Sequence, residues 1–298
     1  MAAVAPRKAK AQNVLHPVAS QAADQEKRRF HASLALFLCL SLSGCDLSGY
    51  AAAPAPAPAS SSAACSARDS ASLRKVAVEH VHDGDTLRLR GGDRLRLVGV
   101  NTPELGRQGR ADEPLAEDAR RALQALTSSG HVWLEQGAEP RDRHGRLLAY
   151  AFNADGESLS AELLRRGMGF HVAISPNTDY AECLAAAESL ARSASAGVWA
   201  ESQFDSRPVR DLRSGQGGFA LIRDEVTRVS FKDNGWWVQL GGKLGVKIRS
   251  RDQASFSRHE LMALEGREVE VRGWIIPMDG DWWMLNLGHS TMLDPGQY

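Results

Sequence analysis

An excess of charge of either sign is what this chain most plainly lacks: 36 Lys and Arg stand against 36 Asp and Glu, so the formal net charge is zero. A general long-range pull on a polyanion is therefore absent, and any grip on negative charge must come from a local cluster of cations. Lysine is missing altogether from Arg88 to Arg166, so that cluster is built from arginine. Cysteine is scarce, with Cys39, Cys45, Cys65 and Cys183 the four in the chain. They form no CxxC pair and no Cys/His spacing, which excludes the zinc frameworks such spacings announce. The apolar run from Ala32 to Leu42 is too short to cross a bilayer as a finished helix. In other respects the composition is that of a globular protein, with 43% apolar and 24% charged residues. At 298 residues there is room for two modest domains.

What is present is concentrated in residues 83–104, DGDTLRLRGGDRLRLVGVNTPE. Two carboxylates (Asp83, Asp85), an arginine (Arg96), an amide beside a hydroxyl (Asn101, Thr102) and a glutamate (Glu104) fall on two short strands and the turns that end them. A hard cation takes carboxylate and carbonyl oxygens. A phosphate suits the fork of a guanidinium, and an attacking water needs a base. This is the equipment for metal-assisted cleavage of a phosphodiester.

The N-terminal residues carry different information. Lys27-Arg28-Arg29 precedes the apolar run, and Leu42-Ser43-Gly44-Cys45 ends it. A basic stretch, a short apolar core and a small-residue end describe a secretory signal. The ending resembles a bacterial lipobox, which implies cleavage before Cys45 and lipid on its sulfur. Several acyl chains hold a protein at a membrane far better than one. Asp46 fits retention at the inner membrane. The expected location is thus the exported cell envelope, lipid-anchored in the periplasm through Cys45, or otherwise secreted. Residues 1–45 are expected to be an N-terminal extension with this signal, and 46–74 an Ala/Pro/Ser-rich tether. Within it, AAAPAPAPASSSAA at 51–64 favours extended polyproline II and buries no core. Cys65 and Cys183 then remain, either paired in an oxidising compartment or left as a free thiol and a buried one.

Residues 75–80, 86–90 and 94–100 alternate apolar and polar as half-buried strands do. Helical spacing over 112–126 follows, then strands at 132–136 and 147–152, and helices at 159–166 and 180–194. Five strands and three helices fit a small closed barrel of the oligonucleotide-binding (OB) type. Residues 75–203 resemble the staphylococcal nuclease family. The matching motifs are Asp83-Gly-Asp-Thr86, Arg96 with Leu97 to Val100, Asn101-Thr-Pro-Glu104 and Asp142-Arg-His-Gly-Arg-Leu-Leu-Ala-Tyr150. Later landmarks, Gly167, Pro176-Asn177 and Gly197-Val-Trp199, keep the family's order.

The resemblance implies calcium-dependent hydrolysis of DNA and RNA, leaving 3′-phosphates. It implies that Asp85 and the Thr102 backbone carbonyl ligate calcium, with Asp83 near the ion but not on it. Glu104 would be the general base, and Arg96 and Arg146 would hold the scissile phosphate. One departure stands out. Asn101 occupies the place of the family's second metal-binding aspartate, so an uncharged amide oxygen replaces a carboxylate there. The family's base-stacking aromatics are also unmatched: His144 takes one such place, and residues 172–174 are aliphatic. His80, His82 and His171 read as structural or surface residues.

Residues 204–216 read as a linker. Beyond it, 219–230, 235–240, 245–249, 268–276 and 282–287 are strand-like, with a short helix at 257–264 and an Asn234-Gly235 hairpin turn. The fold class is α+β, mainly β: the first five-stranded barrel with three helices, then a second small OB-like barrel at 217–293. Five of seven tryptophans lie in it, Trp236, Trp237, Trp274, Trp282 and Trp283. Together with Lys243, Lys247, Arg249 and Arg251 they suit a platform for single-stranded bases; the duller reading is packing. The leading reading is a monomeric nuclease. The alternatives are a catalytically inactive nucleic-acid-binding module with the nuclease fold, and a cell-envelope interaction lipoprotein.

Overall fold

The computed structural model describes residues 65–296. The expected signal segment, Cys45 and residues 46–64 lie outside them. The N-terminal barrel contains β1 (Arg74–Val81), β2 (Thr86–Leu89), β3 (Arg94–Leu97), β5 (His131–Arg141) and β6 (Leu147–Phe152), closed in the order β1-β2-β3-β6-β5. The Leu/Arg alternation explains the central hairpin. Successive strand side chains point to opposite faces, so Leu87, Leu89, Leu95 and Leu97 fill the core. Arg88, Arg94 and Arg96 are left on the other face. β2 and β3 pair antiparallel with Leu87 opposite Leu95, and β3 meets β6 in parallel.

The expected strand over 94–100 breaks at Val98-Gly99. Gly99 sits at φ 92° and turns the chain into β4 (Val100–Asn101), which pairs with β7 (Phe170–His171) outside the barrel. This break places Asn101 and Thr102 beside the turn at Asp83-Asp85. Helix α1 runs Ala116–Leu126, not from Asp112 as its spacing suggested. Leu115 at φ 65° stops it, and Glu113 is committed to residue 104, as described below. α2 (Leu159–Arg165) is capped by the Ser158 hydroxyl, which accepts from the Ala161 N–H, and packs on α3 (Ala181–Ser193). Residues 65–73, read as the end of the tether, lie against this barrel: Cys65 is buried and disulfide-bonded to Cys183.

The second barrel contains β8 (Gly218–Lys232), β9 (Gly235–Leu240), β10 (Leu244–Ile248), β11 (Glu268–Met278) and β12 (Trp282–Asn286), with α4 (Arg258–Met262) beside it. Pairing of β12 with both β10 and β11 closes it, and β13 (Leu293–Asp294) extends β11. The β8–β9 turn is displaced by one residue from the expected Asn-Gly pair. Asp233 and Asn234 take the positive φ angles, 51° and 57°, while Gly235 pairs with Lys232. Glycine is required at 235 for a different reason: a Cβ there would stand 2.9 Å from the Ile248 carbonyl oxygen.

The two barrels share a core. Val172 and Ala173 are buried in the same apolar cluster as Val238, Val246 and Leu285 of the second barrel. Val209 and Leu212, inside the stretch expected to be a linker, are buried there too. Phe170 packs on Phe219 at 5.4 Å between centroids. Across the junction Arg272 of β11 pairs with Glu188 of α3, and both are buried. Arg192 of α3 and Arg223 of β8 both reach Glu270, at 2.9 and 2.7 Å.

His171 sits at this junction. Its Nδ1 is 3.2 Å from the Gly99 carbonyl, so Nδ1 carries the proton, and Nε2, at 2.9 Å, accepts from the Thr291 hydroxyl. Burial, then the positive charge of Arg272 and the neighbouring His289, pull its pKa down to about 3. The nearby acid, Glu188, is already occupied by Arg272 and by the His171 N–H. The unfolded chain, with an ordinary value near ~6.5, binds this proton where the folded one does not. Stability is therefore lost as pH falls from the unfolded value toward the folded one. Between pH 7 and pH 4.5 this one group should remove about 2–3 kcal/mol. Urea midpoints at the two pH values, compared with His171→Gln, check it; an equal acid loss in the variant would refute the assignment.

Candidate active site

The turn at Asp83-Gly84-Asp85 folds back on itself, with the His82 N–H donating to the Thr86 carbonyl at 2.9 Å. Gly84 is needed because a Cβ there would meet Ala119 Cβ and Thr102 Oγ1 at 2.6 Å. That close approach sets the turn against α1 and the segment after β4. Asp85 is buried at 5% exposure and is thoroughly engaged. Its Oδ2 accepts from the Thr102 N–H at 3.1 Å and lies 2.9 Å from Arg96 Nη2. Its Oδ1 accepts from the Thr86 hydroxyl at 3.1 Å. Asp83 Oδ1 accepts from the Asp85 N–H at 3.2 Å. Burial raises the Asp85 pKa and the Asp83 charge adds to this, with Arg96 opposing.

Arg96 is the bracket of the site. Its Nη1 donates to the carbonyls of Leu97 and Val100, both at 2.7 Å. Its Nη2 reaches Asp85 and the Asn101 amide oxygen at 3.2 Å. Four of the five guanidinium hydrogens are thereby taken. The resemblance gave Arg96 a hand on the phosphate. Here it stands behind Asp85, away from the cavity lining, because the break at Gly99 wraps the Val98 to Asn101 backbone around it.

The cavity in front of Asp85 has a volume of about 530 Å³. Asp83, Asp85, Glu104 and Arg146 all line it, although they come from three separate stretches of chain. The Glu104 side chain has no hydrogen bond or ion pair among the described residues. Its backbone is fixed instead: the N–H donates to Glu113 at 2.9 Å and the carbonyl accepts from the Glu113 N–H at 3.0 Å. Crowding by the surrounding protein raises the Glu104 pKa, followed by the charges of Asp85 and Asp83, with Arg96 opposing. Arg146 is held by Asp142, Nε to Oδ2 at 2.7 Å, and both its Nη groups remain without a protein partner among the described residues. Burial acts against it, but the Arg146 side chain and the N–H groups of Arg146 and His144 hold the Asp142 carboxyl below its usual range.

Sequence reasoning passed over several lining groups. His82, read as a structural or surface residue, is exposed and sits on the rim with Nε2 at 2.8 Å from Arg107, which also approaches Asp83 at 3.8 Å. Arg94 and Arg110 line the cavity, and neither side chain has an ion-pair or hydrogen-bond partner among the described residues. Arg94 was legible as the outward arginine of an alternating strand. Arg110 lies in an irregular loop with no pattern to mark it. His144 also lines the cavity, whereas Val172 and Ala173 are buried at the junction between barrels and His80 is exposed away from it.

The expected donors fit a hard cation in kind: the carboxylates of Asp83 and Asp85 line the cavity, whereas Asn101 and Thr102 are buried behind that lining, with the Asn101 amide oxygen accepting from Arg96. They do not make a self-sufficient cage. Among the described residues no three His, Cys, Asp or Glu side chains stand together as a metal cluster. A cation here would complete its shell with water and substrate oxygens.

The family model described as staphylococcal nuclease homologue matches residues 94–201. Endonuclease YncB of Bacillus subtilis (strain 168) is 32% identical over 142 residues, 46% of this chain and 67% of the relative. Thermonuclease of Staphylococcus intermedius is 30% identical over 125 residues, 41% of this chain and 74% of the relative. The chain belongs to the staphylococcal nuclease family. The SPbeta prophage-derived endonuclease YokF of Bacillus subtilis is 31% identical over 137 residues, 44% of this chain, and the chain spans 46% of its length. As a staphylococcal nuclease homologue, the protein places its family match in the first barrel; the match ends before β8.

Proposed function

We propose that this nuclease hydrolyses phosphodiester bonds of DNA and RNA with calcium, leaving 3′-phosphates, and that the cavity before Asp85 is where it does so. One observation carries the reading: Asp85, Glu104 and Arg146, brought from three segments, face one cavity that Arg94 and Arg110 also line, their side chains without a partner among the described residues. Asp85, with Asn101, the Thr102 carbonyl and Asp83 nearby, would hold the calcium. The ion would stabilise negative charge on the phosphate oxygens when bound. Glu104 takes the proton of the attacking water; its pinned backbone and free carboxylate suit a base that must stay available. The free Nη groups of Arg146 bind the phosphate and meet the charge that builds on it. The unpaired Arg94 and Arg110 hold flanking phosphates. Arg96 acts through Asp85 as a positioning residue.

The Cys65–Cys183 disulfide suits an oxidising compartment. On that support we place the protein outside the cytoplasm as an exported chain, anchored in the envelope by lipid on Cys45. The test of function is cleavage of single- and double-stranded DNA and RNA by the purified, disulfide-intact protein, with calcium or with chelator. Products carrying 3′-phosphates in calcium alone are expected; cleavage undiminished by chelator would overturn the calcium assignment.

Asn101 tunes this site. Its amide oxygen is already directed by Arg96 but contributes no charge to a bound cation. Asn101→Asp is expected to lower the calcium concentration for half-maximal cleavage several-fold. An unchanged or higher value, from a calcium titration at fixed substrate, would show that Asn101 does not face the ion.

A further inference from the structure

The second barrel carries a cleft that the catalytic reading does not use. It lies between the end of the β8–β9 hairpin, the 3-10 turn Ser250–Ser255 and the start of α4. Phe231, Trp236, Gln253, Phe256 and Arg258 line it, and its volume is about 340 Å³, within the range of roughly 300–1,000 Å³ usual for small-ligand sites. Three features of the lining point to one ligand chemistry.

The first is aromatic. Phe231 and Trp236 are cross-strand partners, their rings in edge contact at 5.1 Å. Phe231 is 56% exposed, so an apolar ring stands open at the mouth of the cleft. The second is a free cation. Arg258 places its guanidinium 6.0 Å from the Trp236 ring centre and has no hydrogen bond or ion pair among the described residues. The nearby acid, Asp252, is fully buried and already occupied by Arg249 at 2.7 Å and Arg251 at 3.7 Å. The third is a directed amide. Gln253 donates its Nε2 to the Asn234 carbonyl at 3.0 Å, which leaves its Oε1 as an acceptor with no described partner.

We propose that this cleft seats one unpaired base of a single-stranded polynucleotide, stacked on the exposed ring of Phe231, which the buried Trp236 backs edge-on from the core, with Arg258 on the adjoining phosphate and Gln253 Oε1 accepting from a base N–H. The proposal rests on the nuclease reading for its substrate class. It narrows the expected tryptophan platform. Trp236 and Trp283 are both buried in the core, and Lys247 lies over Trp237 on another part of the surface, which leaves Phe231 as the open ring of the cleft. The Ala-Pro segment at 51–59 also suits an aromatic cleft, but it offers no anion to Arg258.

The test measures binding of fluorescein-labelled (dT)12 to the intact protein in chelator, by anisotropy, beside cleavage of a trinucleotide in calcium. Phe231 and Arg258 are both exposed, so their substitution leaves the fold intact. Phe231→Ala is expected to weaken (dT)12 binding about tenfold, the scale of one stacked base. Arg258→Ala should weaken it several-fold and flatten the log–log salt dependence by about 0.7, one phosphate's share, with Arg258→Lys restoring the slope. Neither variant should alter trinucleotide cleavage or binding of a blunt duplex. Wild-type affinity for (dT)12 in both alanine variants overturns the proposal. So does an Ala-Pro peptide of sequence 51–59 whose binding Phe231→Ala abolishes while (dT)12 binding is kept. A wild-type protein that binds (dT)12 through this cleft but cleaves nothing counts against the nuclease reading alone.

Discussion

Replacing Glu104 by Gln is expected to lower kcat by about 10²- to 10⁴-fold, the usual worth of a positioned general base, with substrate affinity little changed. The substitution is clean at this position. Gln keeps the shape and loses the basicity. The Glu104 side chain makes no described hydrogen bond or ion pair, and the contacts that fix the residue, to Glu113, are made by its backbone. Stability should therefore stay within about 0.5 kcal/mol of the parent. Asp85 and Arg96 do not offer this separation. Asp85 is held by Thr86, Arg96 and Thr102, so changing it disturbs the turn together with the chemistry. Removing Arg96 would leave a buried carboxylate without its counter-ion. Single-turnover cleavage with saturating calcium checks the prediction. A variant retaining a fifth or more of the parent rate would remove Glu104 from the mechanism. A parent that binds DNA without cutting it would favour the inactive nucleic-acid-binding module.

What was legible in the sequence follows from periodicity and local turn chemistry. The Leu/Arg alternation from Thr86 to Leu97 marked a hairpin and the inward leucines, because strand side chains alternate whatever the tertiary context. Asp83-Gly84-Asp85 marked a tight turn carrying carboxylates. The direction in which Arg96 reaches was not legible. It depends on the break at Gly99, which bends four residues of backbone around the guanidinium, and a continuous strand over 94–100 hides that break. Arg107 and Arg110 escaped notice, and His82 was read only as structural or surface, because they reach the cavity from irregular segments, where no period assigns a face. Residues 204–216 read as a linker by composition, yet Val209 and Leu212 are buried in the second core; a few scattered apolar residues among polar ones carry too little pattern to show this. The aliphatic stretch at 172–174 looked like a loss of base-stacking aromatics. Its first two residues instead supply apolar surface to the second barrel.

That shared surface makes separation of the barrels the costliest change available. A fragment ending at residue 204 is expected to be unstable. It would uncover Val172 and Ala173, and it would strip Phe170 of its contact with Phe219. It would also leave Glu188, 3% exposed in the whole protein, without the guanidinium of Arg272. Breaking a buried ion pair from one side alone costs about 3–5 kcal/mol, a large part of the roughly 5–15 kcal/mol that holds a typical domain folded. Arg272→Ala tests the ionic part within the intact chain. It should lower the unfolding free energy by about 3–5 kcal/mol, and Arg272→Ala with Glu188→Gln should recover part of the loss, because no lone charge then stays buried. Urea denaturation of the three proteins, followed by tryptophan fluorescence, gives the values. A truncated fragment that melts within a few degrees of the intact protein, or an Arg272→Ala loss below about 1 kcal/mol, would show that the junction is a contact between two independently stable barrels. If the junction is as strong as its burial indicates, the strand pair β4–β7 that sets Asn101 beside Asp85 is braced from behind by the second barrel through Phe170 and His171. The C-terminal barrel then contributes to catalysis by holding the site in shape, whatever it binds on its far surface.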